Sequence, residues 1–434
     1  MELYAVAGQP ILHSRSPEIF RRLFQQYKLP AAYSRINAAT PEGALAIMTI
    51  LGVSGLNVTA PLKEKLLPYV TETDEKVKKI GSINLIKKNL SRLVGGNGDP
   101  SGILGPLAAR GIQLHGKRIL LIGAGGAARA ADFALTAAGA HVTIVNRTDS
   151  RAKALAAEFA CQSIPLTQIR ACLADCDLLL STIPTGADMI QQEWLKPETV
   201  VFDADYRQGS LAKKATAAGC QTIGGEEWLV QQALYSFHWF TGQAISAAAT
   251  EVKAITQCVL ATQYEDKKNV ALIGFMACGK SSLAQKLADR LNFTYFDSDL
   301  EIKRLEGMSI AAIFKQKGEA YFRNREKEMV ARLAGMKNVV FASGGGAVLA
   351  AENRTLLQQY AWTVWPVVDM EVTRSRLEPG TRPLLIGQLD NKRLETLFDE
   401  RKALYFNVAD MIVNGEKELE KLCEEIYEEI RFAL

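Results

Sequence analysis

No stretch of these 434 residues approaches the ~20 uninterrupted apolar positions that a membrane-crossing helix needs, and the start, MELYAVAGQP, lacks a basic segment followed by a long apolar one. A cytoplasmic protein without a membrane partner is the expectation. Charge of one sign is equally scarce: 51 Lys plus Arg stand against 47 Asp plus Glu, a formal net charge of +4. So small an excess gives no field for non-specific nucleic-acid binding, although small anions can still meet local basic sites. Histidine occurs only at His13, His115, His141 and His238, outside any metal-binding spacing, which sets histidine-based metal or nucleophile chemistry aside. The seven cysteines are an odd number without a C-x-x-C pair, so reduced thiols fit better than a disulfide frame or a zinc site.

What remains has the composition of a folded chain, and at ~150 residues per domain its length predicts about three domains. Three patterns follow one another without internal repeats. Residues 1–101 alternate short apolar runs (LYAVAG, AAYSRINA, GLNVTA) with helical patterns such as Pro17 to Tyr27, where Ile19, Phe20, Leu23 and Tyr27 share a face. Residues 102–234 open with GKRILLIGAGGAARAADFALTAAGAHVTIVNRT, a strand, glycine turn, helix and strand. Residues 235–262 read as one long alanine-rich helical stretch that packs back on the first region, and 263–269 as a polar linker. Residues 270–434 begin an independent α/β unit with a second glycine-rich loop.

In the first glycine turn Gly123, Gly125 and Ala128 fit G-x-G-x-x-G/A, and the small residues, with Gly126 and Ala127 at the helix entrance, let backbone approach a pyrophosphate. Alone, this pattern also describes a plain tight turn. The next strand ends in Asn146-Arg147-Thr148 with Arg151 beyond, where an NAD-binding chain often has an acid; an amide and two guanidiniums suit a 2′-phosphate and hence NADP. Two solvated arginines are the simpler alternative.

Around this turn stand Ser14-Arg15-Ser16-Pro17, Asn57-Val58-Thr59-Ala60-Pro61-Leu62-Lys63, Gly81-Ser82-Ile83-Asn84, Asn97-Gly98-Asp99, the segment Asp203 to Tyr206, and Gly225-x-x-Trp228-Leu229-x-x-Gln232. Together they resemble the shikimate dehydrogenase family over about residues 1–260. The resemblance implies an α/β substrate lobe beside a Rossmann NADP lobe. It also implies that Ser14, Ser16, Asn57, Thr59, Asn84, Tyr206 and Gln232, together with Asp99, hold the substrate acid. Lys63 would carry the proton and Asp99 would position its amine, because a carbonyl receiving a hydride needs a proton donor within hydrogen-bond reach. Departures fall on the nicotinamide side: Gly98 and Leu85 stand where the family usually has Thr, and Ser181-Thr182-Ile183-Pro184 and Arg207-Gln208 replace its usual strings.

The second turn, Gly274-Phe275-Met276-Ala277-Cys278-Gly279-Lys280-Ser281-Ser282, satisfies G-x-x-x-x-G-K-[ST] between a strand and a helix. Its backbone N–H groups can ring a β-phosphate, Lys280 can neutralise β and γ oxygens, and Ser281 can ligate Mg²⁺ under ATP. Later come Asp297-Ser298-Asp299, Phe322-Arg323-x-x-Glu326, Gly344-Gly345-Gly346, Arg382-Pro383-Leu384-Leu385 and Arg401-x-x-x-Tyr405. In this order they resemble shikimate kinase across residues 268–434. Arg323 and Arg401 offer forked donors for a carboxylate, and the run at Gly345 lets substrate lie against backbone. By the resemblance, Asp299 would take the hydroxyl proton, Asp297 would hold Mg²⁺, and Arg382 would close over the transferred phosphoryl group.

The combined expectation is a two-lobed dehydrogenase followed by a P-loop kinase domain. It would reduce 3-dehydroshikimate with NADPH and phosphorylate the shikimate formed. A quinate-type front half, a kinase half for another small acid, and a catalytically dead binding protein remain as alternatives.

Overall fold

Short runs such as Arg118–Ile122, Leu178–Ser181, Asn269–Leu272 and Val339–Ala342 carry apolar side chains at successive positions rather than alternate ones. Parallel strands covered by helices on both faces need such runs. The computed structural model describes residues 1–183, 189–206, 209–245, 249–261, 264, 266–377 and 391–433. Packing divides the chain into two compact units, one made of Met1–Pro17, Phe24–Leu56 and Gln263–Leu434, the other of Glu18–Leu23 and Asn57–Thr262.

In the second unit a parallel sheet has the strand order Thr222–Gly224, Val200–Asp203, Leu178–Ser181, Arg118–Ile122, His141–Val145, Gln162–Ser163. The registers are parallel throughout, for example Leu120 opposite Thr143 and Leu179 opposite Leu120. Numbered along the chain this is 3-2-1-4-5-6, the doubly wound order, whose switch point lies between Arg118–Ile122 and Leu178–Ser181. The first glycine turn leaves the sheet there. Gly123 has φ 123°, and a Cβ on it would come within 2.2 Å of Thr182 Oγ1, so both backbone and space demand glycine. An antiparallel strand pair, Leu85–Asn89 with Arg92–Gly96, brings Asn84 and Asn97 to neighbouring positions beyond its two ends.

The stretch expected as one helix over 235–262 is two. Gly225–Thr241 ends at Gly242, whose φ of 72° closes the helix with its N–H on His238 O at 2.7 Å, and Ala249–Ala261 follows. The Pro17 helix is present as Ser16–Gln26, with Ile19, Phe20 and Leu23 buried, while Tyr27 falls just past its end.

In the first unit five parallel strands run in the order Thr294–Asp297, Val339–Ala342, Asn269–Leu272, Ala361–Val367, Met411–Asn414. The strand feeding the second glycine loop is therefore central. Two more strands, Ala31–Asn37 and Glu2–Gly8, continue the same sheet in parallel, joined through Ile412 opposite Ile36. Among the described residues no helix is long and apolar enough to cross a membrane.

Candidate active sites

Lys63 and Asp99 meet in the second unit. Lys63 lies on the short helix Leu62–Lys65 after the strand that ends at Val58, and Asp99 is the first residue of the helix Asp99–Ala109. Its carboxylate therefore sits at the positive end of that helix. The two side chains form an ion pair with exposures of only 16% and 4%, so water screens it weakly. Asn84 Nδ2 donates to the other oxygen of Asp99 at 2.8 Å, and its Oδ1 accepts from Gly98 N at 2.7 Å. Asn97 completes the frame, accepting Asp99 N–H at 3.0 Å and donating to Ser82 O at 2.9 Å. A Cβ on Gly126 would lie 2.9 Å from Lys63 Cβ, so the lysine stem rests against the first residue of the dinucleotide helix. Proton donor and cofactor turn are thus adjacent.

Asn57 donates to Ser236 Oγ at 3.0 Å, and Ser236 in turn donates to the backbone carbonyl of Gln232 at 2.6 Å, which links these two predicted residues through one that the sequence motifs did not single out. Thr59 is half-buried just after the strand, and Tyr206 is partly buried in a backbone segment that packs on Gly225. In the first unit Ser14 and Ser16 form their own buried pair, with Oγ atoms 3.3 Å apart. Asn146 donates to Thr148 O at 3.0 Å, while Arg147 and Arg151 are exposed beyond the strand His141–Val145. The Gly98 departure has a local cause: a Cβ there would stand 2.7 Å from Tyr235 Cδ1.

The second site lies wholly in the first unit. The loop from Gly274 to Gly279 has positive φ at Gly274, Ala277 and Gly279, and leads into the helix Lys280–Leu291. Lys280 is 9% exposed and donates to Phe275 O at 2.7 Å. Ser281 Oγ donates to Asp297 Oδ2 at 2.7 Å, so the two residues expected at a metal ion touch. Asp297 also caps the helix Ser298–Glu306 by accepting from Asp299 N and Leu300 N. Cys278 is buried, with its sulfur 3.6 Å from Lys280 Nζ, and so is not the exposed thiol that alkylation would require.

Lys280, Ser281 and Asp297 line a cavity of about 570 Å³ with Asp299, Arg323, Glu326, Gly345 and Arg401. Arg323 is held by Glu326 at 2.9 Å and Glu319 at 2.9 Å, and Arg401 donates to Gly345 O at 3.2 Å. Glu326 is almost wholly buried, and burial pushes its carboxyl up to about 7 against the opposing pull of Arg323. Tyr405 donates to the same Gly345 carbonyl as Arg401. Its Arg401-x-x-x-Tyr405 spacing, one helical turn, was the signal for it. The apolar wall at Ile310, Phe314 and Phe322 carries no sequence motif beyond Phe322. Arg382, Pro184, Arg207 and Gln208 lie outside the described residues.

Comparison with known proteins decides the family. A model described as the shikimate dehydrogenase substrate binding domain matches residues 6–86, and one described as shikimate / quinate 5-dehydrogenase matches residues 106–203. The shikimate dehydrogenase (NADP(+)) of Halobacterium salinarum is 34% identical over 258 residues, 57% of this chain and 97% of that protein. Its counterpart from Methanothrix thermoacetophila is 36% identical over 252 residues, 56% of this chain and 92% of that protein. The chain belongs to the shikimate dehydrogenase family. A shikimate kinase model matches residues 276–431, so a kinase domain follows in the same polypeptide. Among solved structures, a shikimate dehydrogenase from Aquifex aeolicus has a TM-score of 0.56 at 28% identity, covering 60% of this chain and 98% of that one. One from Thermus thermophilus, in complex with NADP(H) and shikimate, has a TM-score of 0.54 at 29% identity, with 60% of this chain and 99% of that one covered.

Proposed function

We propose that the chain is a bifunctional enzyme that reduces 3-dehydroshikimate to shikimate with NADPH and then phosphorylates shikimate with ATP and Mg²⁺. The observation that carries the first half is the part-buried Lys63–Asp99 pair resting against Gly126 of the dinucleotide turn. The nicotinamide supplies the hydride when bound. Lys63 donates the proton to the carbonyl oxygen as charge develops there, and Asp99 holds the amine in place and aims it. Ser14, Ser16, Asn57, Thr59, Asn84, Tyr206 and Gln232 hold the acid and its hydroxyls. Gly123, Gly125, Gly126 and Ala127 receive the pyrophosphate, and exposed Arg147 and Arg151, with Asn146 and Thr148, take a 2′-phosphate.

In the second half Gly274, Ala277, Cys278, Gly279 and Ser282 offer backbone donors to the nucleotide phosphates and Lys280 offers its charge. Ser281 and Asp297 are two adjacent oxygen donors suited to a hard cation that keeps most of its waters. Asp299 orients the attacking hydroxyl and takes its proton, Arg323 and Arg401 grip the carboxylate, and Arg382 screens the transferred phosphoryl group. The lobes run over 1–101 with 235–262 for the acid, 102–234 for NADP and 270–434 for the kinase, with 263–269 as linker, in a cytoplasmic protein.

The test is a crossed pair of variants assayed with 3-dehydroshikimate, NADPH, ATP and Mg²⁺. Lys63→Ala should lose the nicotinamide absorbance change by about 10²–10⁴-fold while still phosphorylating added shikimate, and Lys280→Ala should do the reverse. Unimpaired reduction by the Lys63 variant would remove the proposed proton donor.

A further inference from the structure

The loop between the strand Glu2–Gly8 and the helix Ser16–Gln26 presents Ser14 and Ser16, and two of its backbone N–H groups end on a residue more than four hundred positions away. Ile11 N–H donates to Glu429 Oε1 at 2.8 Å and Oε2 at 2.9 Å, and Leu12 N–H donates to Oε2 at 3.0 Å. Ile11 and Leu12 fall inside the dehydrogenase substrate-domain match, Glu429 inside the kinase match, on the last helix, Leu419–Ile430. All three belong to the same compact unit.

A glutamate near the end of a terminal helix is ordinarily solvated, as the neighbouring Glu428 is at 41% exposure, but Glu429 is 3% exposed. Burying a carboxylate is costly unless donors replace the lost water. Here two consecutive backbone N–H groups do so, and the Arg35 charge adds to them against the effect of burial. The same loop is held again at Ser14. Arg35 is fully buried, and its Nε and Nη2 donate to Ser14 O at 2.8 and 2.6 Å. Arg35 stands in the strand that joins the kinase sheet, and the adjacent Ser34 hydroxyl donates to Ala409 O at 2.9 Å. The loop backbone therefore has one anchor at Ile11 and Leu12 and another at Ser14, and the first is supplied by the kinase segment.

We propose that Glu429 is a positioning residue for the dehydrogenase. From the final helix of the kinase domain it fixes the backbone of the loop that offers Ser14 and Ser16 to the substrate acid. The proposal rests on the reading of those serines as substrate ligands. The Glu429 carboxylate is taken up by the Ile11 and Leu12 N–H groups, so its loss acts on binding of the acid through the loop and leaves the hydride step alone.

The test uses the full-length chain, with shikimate oxidation by NADP⁺ and shikimate phosphorylation measured on one preparation of Glu429→Gln. The amide keeps the size but turns an NH₂ group toward donors. KM for shikimate in the dehydrogenase should rise by about five- to tenfold, as expected for losing a charge-assisted pair of hydrogen bonds, with kcat and kinase turnover near wild type. Amide exchange at Ile11 and Leu12 should quicken in the variant. Unchanged KM and unchanged exchange would overturn the proposal. Should the variant fail to fold, exchange in the wild-type chain decides: protected Ile11 and Leu12 amides support the anchor, and amides as fast as an exposed loop refute it. A wild-type chain that does not oxidise shikimate at all would instead sink the functional reading, a result separate from either of these.

Discussion

Glu326 shows how one side chain can carry a pH dependence for a whole domain. It is a buried carboxyl whose pKa is pushed from its ordinary 4.5 to about 7, first by desolvation, against the lowering effect of Arg323. A carboxyl raised in the folded state binds its proton more tightly there than in the unfolded chain. Its contribution to stability is therefore present below about pH 4.5 and lost as pH rises through about 7. The loss is bounded by the shift at up to about 3 kcal/mol for the unliganded protein. Glu326→Gln cannot titrate, and Arg323 retains Glu319 as a partner. The variant should thus gain on wild type in melting temperature between pH 5 and pH 8. A difference that stays flat over that range would mean that the carboxyl titrates where an ordinary glutamate does. The sequence offered Arg323-x-x-Glu326 as a pair one helical turn apart, but nothing in its spacing could show the burial that sets the shift.

Between elements, the clearest departure from family pattern turns into a packing constraint. Gly98 precedes the helix Asp99–Ala109, and its φ of −97° is open to any residue, so glycine is not needed there for backbone reasons. The demand comes from Tyr235 on the helix Gly225–Thr241, whose ring occupies the space where a Cβ would go. Gly98→Thr, which restores the usual family residue, should cost about 1–3 kcal/mol by overpacking and should disturb the backbone N–H that Asn84 accepts. Repeating the change in a Tyr235→Ala background should recover much of that cost. The measurement is a double-mutant cycle by urea unfolding, and strict additivity of the two changes would show that the ring and residue 98 do not compete. Such a pair was illegible in the sequence because its members are 137 positions apart and Tyr235 belongs to no motif. By contrast, Lys63, Asp99 and Gly126 were all readable, since each belongs to a string whose residue types serve a chemistry, even though their mutual contact appears only in the folded chain.

For the molecule as a whole, local patterns were sufficient for both glycine turns and for the parallel strands that feed them, because apolar runs and turn residues act over short distances. They could not indicate that strands Glu2–Gly8 and Ala31–Asn37 extend the sheet of the P-loop segment, since strand pairing across some four hundred residues leaves no local signature. The long helix expected over 235–262 failed for a different reason: Gly242 was available as a stop signal, but the alanine-rich sequence that follows it outweighed it. The shared sheet has a consequence for cooperativity. Buried Lys267 and Asp410 pair at 2.5 Å beside Thr363, whose N–H Asp410 accepts at 2.9 Å, so the strand Ala361–Val367 is tied to the start of Met411–Asn414, the strand that meets Ala31–Asn37. If these strands unfold together, a nucleotide bound only at the P-loop must stabilise all of them, by about 2.7 kcal/mol at a hundred times its dissociation constant. ADP at that excess should therefore slow amide exchange in Glu2–Gly8 and Ala31–Asn37 as much as in Asn269–Leu272 and Ala361–Val367, under conditions where exchange reports global opening. Slowing confined to the two P-loop-side strands would show that the seven-stranded arrangement opens in parts, and that the first two strands draw their stability from elsewhere in the chain.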